Sequence, residues 1–283
     1  MAADNSEQIA EWNGALGQRW LEMRKEIAPI VAPFGNAALK AAAPKPGERV
    51  IDVGCGYGDT SIEIAWIVGA TGEVLGLDVS QPMLEFARSR EAPTNCAKLV
   101  FREGDASEAK LPQDFDLLFS RFGVMFFSQP AAAFAHLRQS LRTGGRCVFV
   151  CWRTPRDNAW AMTPLSAARA AMGITPPPAD PHAPGPFAFA DGERVRTVLS
   201  DAGFKDIDMQ RFDTALSLGT TPRAAAERAV QLGPASRLVR EVGVEYLPVI
   251  LEAIERALAP LAAPDGQVTL NGSCWIVSAM NRA

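Results

Sequence analysis

The stretch Val50-Ile51-Asp52-Val53-Gly54-Cys55-Gly56-Tyr57-Gly58-Asp59 constrains this chain more than any other. An apolar strand runs into a turn with glycine at every second position. Asp78 closes a second apolar run, Val74-Leu75-Gly76-Leu77, 20 residues beyond Gly58. A strand, a tight glycine turn, a helix and a second strand ending in a carboxylate form a nucleoside-binding half-site. The bland alternative is a strand–turn–helix junction that binds nothing.

The glycine spacing narrows the ligand. The dinucleotide fingerprint is G-x-G-x-x-G, whose turn cradles a pyrophosphate at a helix N-terminus. Here the run is G-x-G-x-G, and Asp59 stands where the third fingerprint glycine would be. A carboxylate there disfavours a pyrophosphate and tolerates a cationic ligand. No G-x-x-x-x-G-K-[ST] occurs, which argues against a phosphate-gripping loop and, with the spacing, against a nicotinamide dehydrogenase.

Around this half-site the chain alternates strand and helix. Strands are expected at 49–53, 72–78, 97–101, 115–120, 146–152, 204–211 and 268–279. Helices are expected at 59–68, 80–90, 130–141, where Thr143-Gly144-Gly145 reads as the stop, and 191–202, with two more helical patterns over 222–262. This rhythm predicts an α/β fold: a doubly wound, seven-stranded, mostly parallel sheet. Ahead of it, Trp12, Leu16, Trp20, Met23 and Ile27 recur at helical spacing. Pro29 and Pro33 are expected to break that helix before a second one at 36–43. The organisation expected is an N-terminal helical lid over 1–46 and a Rossmann-like domain over 47–283. That domain would carry inserts at about 153–190 and 213–266. Pro176-Pro177-Pro178 and 181–186 read as stiff loop.

Bulk properties exclude several classes. With 283 residues, 48% hydrophobic and 21% charged, the chain is an ordinary globular one. A net charge of −4 gives no basic excess for nucleic acid. Five cysteines without C-x-x-C spacing indicate reduced thiols, no zinc site and a cytoplasmic protein. The polar, acidic start MAADNSEQIAEW is no secretory signal, and no run is long enough to span a bilayer.

Two further acids lie just beyond strands, where open α/β sheets bind ligands. Asp78 can accept from both ribose hydroxyls, or simply cap the next helix. Asp105, in Gly104-Asp105-Ala106, can accept from an adenine amine while a backbone N–H meets a ring nitrogen; otherwise Gly-Asp is a turn signal. Val79, Pro82 and Met83 place apolar surface beside Asp78. Three acids beyond consecutive strands say more than any one of them.

This set resembles the class I S-adenosylmethionine-dependent methyltransferases, whose ligand has a sulfonium and no phosphate. Asp116-Leu117-Leu118-Phe119-Ser120 and Leu141-Arg142-Thr143-Gly144-Gly145-Arg146 reinforce the likeness. Ser120-Arg121-Phe122-Gly123-Val124-Met125-Phe126-Phe127 is similar to the small-molecule branch, which includes ubiquinone/menaquinone and natural-product enzymes. The likeness covers about residues 48–152. It implies S-adenosylmethionine as donor. Asp52, Gly54, Gly56 and Gly58 would face the methionine part, Asp78 would hold the ribose, Val79 and Met83 would offer apolar surface to the purine, and Asp105 with Ala106 would read the adenine edge. Ser120 would line the site, Trp20 would close it, and Arg19 would pair with the donor carboxylate. Methyltransferases acting on exocyclic amines carry N/D-P-P-Y/F after the fourth strand. Ser120-Arg121-Phe122-Gly123 stands there instead, which argues against a base or amide acceptor.

The expected partner is therefore a small aromatic or apolar molecule, with no metal and no membrane insertion. Trp12, Arg121, Phe122, Trp152, Trp160, Phe187 and Phe189 are the candidates to wall its pocket, although tryptophans near strand ends are as readily core. His182 is a weak candidate for a base, Tyr57 and Tyr246 are weaker ones, and His136 reads as structural. Positioning is expected to matter more than any base. Two rival readings remain: other chemistry on the same bound sulfonium, and a catalytically silent partner that keeps the fold.

Overall fold

The computed structural model describes residues 5–91, 96–175 and 180–282. The Pro176-Pro177-Pro178 loop and the first four residues of the polar start lie outside the described residues. Three helices come first: α1 (Ser6–Asn13), α2 (Ala15–Glu22) and α3 (Arg24–Ala42). Then β1 (Arg49–Val53), α4 (Asp59–Val68), β2 (Glu73–Asp78), α5 (Gln81–Ser89), β3 (Lys98–Glu103) and β4 (Phe115–Arg121) alternate. They continue into α6 (Pro130–Arg138), β5 (Leu141–Trp152), α7 (Ala159–Ala171), α8 (Gly192–Asp201) and β6 (Lys205–Gly219). The chain closes with α9 (Pro222–Ala229), α10 (Pro234–Val242), α11 (Leu247–Leu258) and β7 (Val268–Met280).

The seven strands form one sheet in the order β3-β2-β1-β4-β5-β7-β6. Strands β1 to β5 run parallel, and β7 is antiparallel to β5. The expected doubly wound sheet is therefore the fold. Val50, Ile51, Leu117, Leu118 and Phe119 of the two central strands are completely buried. Such strands must be apolar on both faces, as their sequences are. The strand order reverses between β1 and β4, so a crevice opens at their carboxyl ends.

Two expectations fail for tertiary reasons. Pro29 and Pro33 do not break the N-terminal helix; both lie inside α3. A proline in a helix interior costs about 3 kcal/mol. Burial of Ile27, Val31, Phe34 and Leu39, at about 1.5–3 kcal/mol each, outweighs that. The N-terminal pattern is interrupted instead at Gly14 and Met23. Thr143-Gly144-Gly145 is also no helix terminus but part of β5. Asn281 holds it extended: Gly144 N–H donates to Asn281 O (2.7 Å), Asn281 N–H to Gly145 O (2.8 Å), and Asn281 Nδ2 to Leu141 O (2.9 Å). Strand β6 runs on to Gly219, past the expected end at 211, and 222–262 folds as three α-helices rather than two.

The chain divides into two compact units. The first is Met1–Trp152, His182–Phe212 and Cys274–Ala283; the second is Arg153–Pro181 and Asp213–Ser273. The N-terminal helices thus belong to the first unit, where α3 packs on β4 and β5, rather than standing apart as residues 1–46. In the second unit α11 packs against α7 and α9. Asn158 is its polar centre and is fully buried. Its amide donates to Arg153 O (3.3 Å), Thr154 O (3.1 Å) and Ser273 O (3.0 Å), and accepts from Ser273 N–H (2.9 Å) and Trp160 Nε1 (3.0 Å). Asn158→Ala strands several of these partners without water. We expect a loss of about 2–4 kcal/mol, read as a lowered denaturation midpoint.

Candidate active site

The turn after β1 is built by close approach. Gly54 has φ +69°, and a Cβ on it would lie 2.7 Å from Gly123 Cα in the turn that follows β4. Only glycine meets both demands. Gly58, at φ +85°, faces the Phe101 ring at 2.7 Å in the same way. Gly54 N–H (2.8 Å) and Cys55 N–H (3.2 Å) both donate to Leu77 O, which ties the turn to the end of β2. Asp59 opens α4 and pairs with Arg90 Nη1 at 2.5 Å, which also donates to Tyr57 O at 2.9 Å. Arg90 takes up part of the repulsion that Asp59 alone would exert on an anion.

Asp78 ends β2. Oδ2 accepts from Gly56 N–H (2.7 Å) and Oδ1 from Ser80 N–H (2.8 Å). A carboxylate has about four acceptor positions, so roughly two remain for a pair of vicinal hydroxyls. Burial raises the Asp78 pKa, and the N–H groups of Ser80, Gly56 and Val79 oppose that rise. Asp105 accepts from Ser107 N–H (2.8 Å) and, at both oxygens, from Asn5 Nδ2 (3.0 and 2.8 Å). One acceptor position stays open. The neighbouring Ala106 N–H has no hydrogen-bond partner among the described residues. Acceptor and donor side by side are what an adenine edge requires. Met83 lies 3.5 Å from where a Cβ on Gly56 would be, so it backs the turn from α5.

Two expected ligand residues have partners inside the fold. Asp52 is 1% exposed and accepts from Ser61 Oγ at 2.6 Å, so it supports the turn from beneath. Burial lifts its pKa from 3.8 to about 7, against the pull of Ser61 and Arg121. Ser120 is fully buried and lines no open site. Its hydroxyl donates to Val53 O (2.7 Å) and accepts from Gly123 N–H (3.2 Å), cross-linking β1 to the turn after β4.

Residues 44–173 match the methyltransferase domain family. The 2-phytyl-1,4-naphtoquinone methyltransferase of Synechococcus elongatus is 32% identical over 120 residues, covering 42% of this chain and 52% of that protein. The demethylmenaquinone methyltransferase of Lysinibacillus sphaericus is 34% identical over 159 residues, covering 56% and 66%. Residues 44–173 belong to the class I S-adenosylmethionine-dependent methyltransferases. The chain spans about half the length of the first curated relatives it matches. The YcgJ protein of Bacillus subtilis shares the fold, with a TM-score of 0.57 at 17% identity over 88% of this chain and 98% of that one.

The N-terminal helices cover the ends of β2 and β3. Trp12 O accepts from Ser80 Oγ (2.8 Å). Asn13 Nδ2 donates to Val79 O (2.8 Å), and its Oδ1 accepts from Gln81 N–H (2.9 Å), capping α5. Asn5 reaches Asp105 and accepts from Ser128 N–H (2.9 Å). Trp12 stands edge-on to Trp20 (5.6 Å) and Phe126 (5.4 Å). Asn5 and Arg90 escaped the sequence reading, because nothing in their local spacing marks a partner 100 or 31 residues away.

Phe122 stacks on Trp152 (4.3 Å, 14°), and both meet the edge of Phe34. The next residue, Gly123, touches Gly54, so Arg121 and Phe122 lie beside the glycine turn. Phe187 is half-buried in the loop whose Gly185 N–H donates to Met125 O (3.1 Å). Phe189 is core, packed with Phe134 and Phe149, and walls no pocket. Trp160 and Tyr246 belong to the second unit, and Tyr246 is 43% exposed. His182 is exposed. His136 Nε2 pairs with Ala109 O at 2.9 Å, a structural role. Tyr57 is buried, which pushes its phenol up, although Arg121 pulls it down. Among the described residues no cluster suited to a metal occurs.

Asp52 makes stability depend on pH. Its folded pKa lies above 3.8, so the folded chain keeps a proton that the unfolded chain has released. Stability then falls as pH rises from about 4 to about 7, by up to about 1.4 kcal/mol per pH unit. Asp52→Asn should remove that component. Denaturation of both proteins at pH 5, 6, 7 and 8 should give curves that diverge through this window and run parallel above it.

Proposed function

We propose that this protein transfers the methyl group of S-adenosylmethionine to a small, planar, largely apolar acceptor. The observation that carries the reading is the pairing of Asp78, with two acceptor positions to spare, and Asp105–Ala106, with one acceptor and one free N–H. Together they suit a ribose and an adenine edge. The glycine spacing suits a ligand without a pyrophosphate. The two relatives described above are named for naphthoquinone and menaquinone substrates, and these support an acceptor of that kind. Five free thiols support a cytoplasmic setting. No helix among the described residues is long and apolar enough to cross a membrane.

S-adenosylmethionine supplies a methyl already activated on a sulfonium. What remains for the chain is alignment and dryness. The acceptor's lone pair forms a bond to the methyl carbon as the carbon–sulfur bond breaks, in line. Asp78 and the Asp105–Ala106 pair anchor the adenosyl end, and the turn at 54–58 sets its height above the sheet. Trp12, Trp20 and Phe126 exclude water from the ends of β2 and β4. Phe122, stacked on Trp152, offers an aromatic surface beside the turn. A dedicated base is missing from the candidates: His136 is occupied, His182 and Tyr246 are exposed, and burial holds the Tyr57 proton on. Acceptors that ionise readily, or attack without losing a proton first, fit best.

Titration calorimetry with S-adenosylmethionine and S-adenosylhomocysteine tests the donor. Failure of both to bind at millimolar concentration would sink the reading. Asp78→Asn should weaken both by roughly 100-fold or more, since charge-assisted bonds to both hydroxyls are lost. S-adenosylhomocysteine among the turnover products separates methyl transfer from other chemistry on the same sulfonium. The two ligands should also differ in proton release. A sulfonium near Asp52 lowers its raised pKa, and the neutral thioether does not. Near pH 7, S-adenosylmethionine should therefore release more protons on binding, read from heats in buffers of different ionisation enthalpy.

A further inference from the structure

Arg121 ends β4 at the crevice and is half-buried. Among the described residues it makes no hydrogen bond and no ion pair. Its charge is felt by Asp52 and Tyr57. The stem runs over α3, where a Cβ on Gly35 would come within 2.9 Å of Arg121 Cδ; the missing side chain makes room for it. Three other half-buried arginines of the first unit have carboxylates: Arg49 pairs with Glu73, Arg90 with Asp59 and Arg146 with Glu48; Arg24, Arg102 and Arg138 donate to carbonyl oxygens instead. A partly desolvated cation without a counter-ion is costly. Asp52 is a poor counter-ion, because its own burial favours the neutral acid.

The next residue is strained. Phe122 has φ +61°, in the left-handed region that a bulky aromatic residue rarely adopts. Its N–H donates to Val150 O (3.1 Å), and its ring is clamped on Trp152 and against Phe34. The kink turns the chain sharply after Arg121 and lays Gly123 against Gly54. Strain of this kind, held by surrounding packing, marks a position kept for something other than stability. It leaves an uncompensated guanidinium at the rim of the turn, where a planar fork of donors suits a carboxylate.

We propose that Arg121 is the carboxylate-binding residue of this site, seated there by the strained turn at Phe122. The proposal rests on the donor reading above. Two ligands can bring the carboxylate: the methionine end of the donor, or an acidic planar acceptor lying against Phe122.

The test uses Arg121→Met, which keeps the stem over Gly35, and Arg121→Gln, each checked for folding by thermal melting. Four probes are titrated: S-adenosylhomocysteine, 5′-methylthioadenosine, which lacks the amino-acid end, and, on protein saturated with S-adenosylhomocysteine, 1-hydroxy-2-naphthoate and 1-naphthol. A donor carboxylate predicts roughly tenfold or greater weakening of S-adenosylhomocysteine with 5′-methylthioadenosine unchanged. An acceptor carboxylate predicts unchanged adenosyl ligands and loss of the wild-type preference for the naphthoate over the naphthol. Variants that fold and bind all four probes as the wild type does overturn the proposal. Wild-type protein that binds neither adenosyl ligand overturns the donor reading itself, a distinct outcome.

Discussion

Two backbone turns touch at the carboxyl ends of the two central strands. Gly54, leaving β1, lies so close to Gly123, beyond β4, that a single methyl group on Gly54 would collide with backbone. The rest of the site hangs on that contact. It brings the carboxyl ends of the two central strands together where the strand order reverses. Ser120 reinforces it by bonding Val53 O and Gly123 N–H at once. The left-handed kink at Phe122 is what lets the second turn come so near, and Arg121 sits at its start.

Three aspartates at the ends of neighbouring strands do different work because their surroundings differ. Asp52 is sealed beneath the turn, and burial drives it toward the neutral acid. Asp78 is held by two backbone N–H groups and keeps acceptor capacity for a ligand. Asp105 is oriented by Asn5, so the first described residue of the chain bears on a group 100 positions away. A carboxylate's role follows from how many of its lone pairs the protein has already used. For the same reason Asp59 is less of an obstacle to anions than its position suggests, since Arg90 shares its charge.

Much of the fold was legible because its cause is local. Continuous apolar runs such as 147–151 can only be strands covered on both faces, and the glycine spacing requires a tight turn. Asp78 and Asp105 were legible as strand-end acids. Errors arose where a distant partner decides. Pro29 and Pro33 looked like breakers, yet burial of one face of α3 outweighs them. Thr143-Gly144-Gly145 looked like a helix stop, until Asn281 supplied ladder partners. Ser120 looked like a wall of the site, and its hydroxyl is spent inside the sheet.

From the sequence alone come the class of fold, the carboxyl-end location of the site and a donor lacking a pyrophosphate. These follow from periodicity and glycine spacing, which act over a few residues. Tertiary structure alone decided which acids remain available to a ligand, that Arg121 has no counter-ion among the described residues, and that the N-terminal segment reaches Asp105 and Val79. It also gathered 153–181 and 213–273 into a unit of their own around Asn158. Those outcomes depend on burial and on pairing between residues far apart in the chain, and neither leaves a local mark in the sequence.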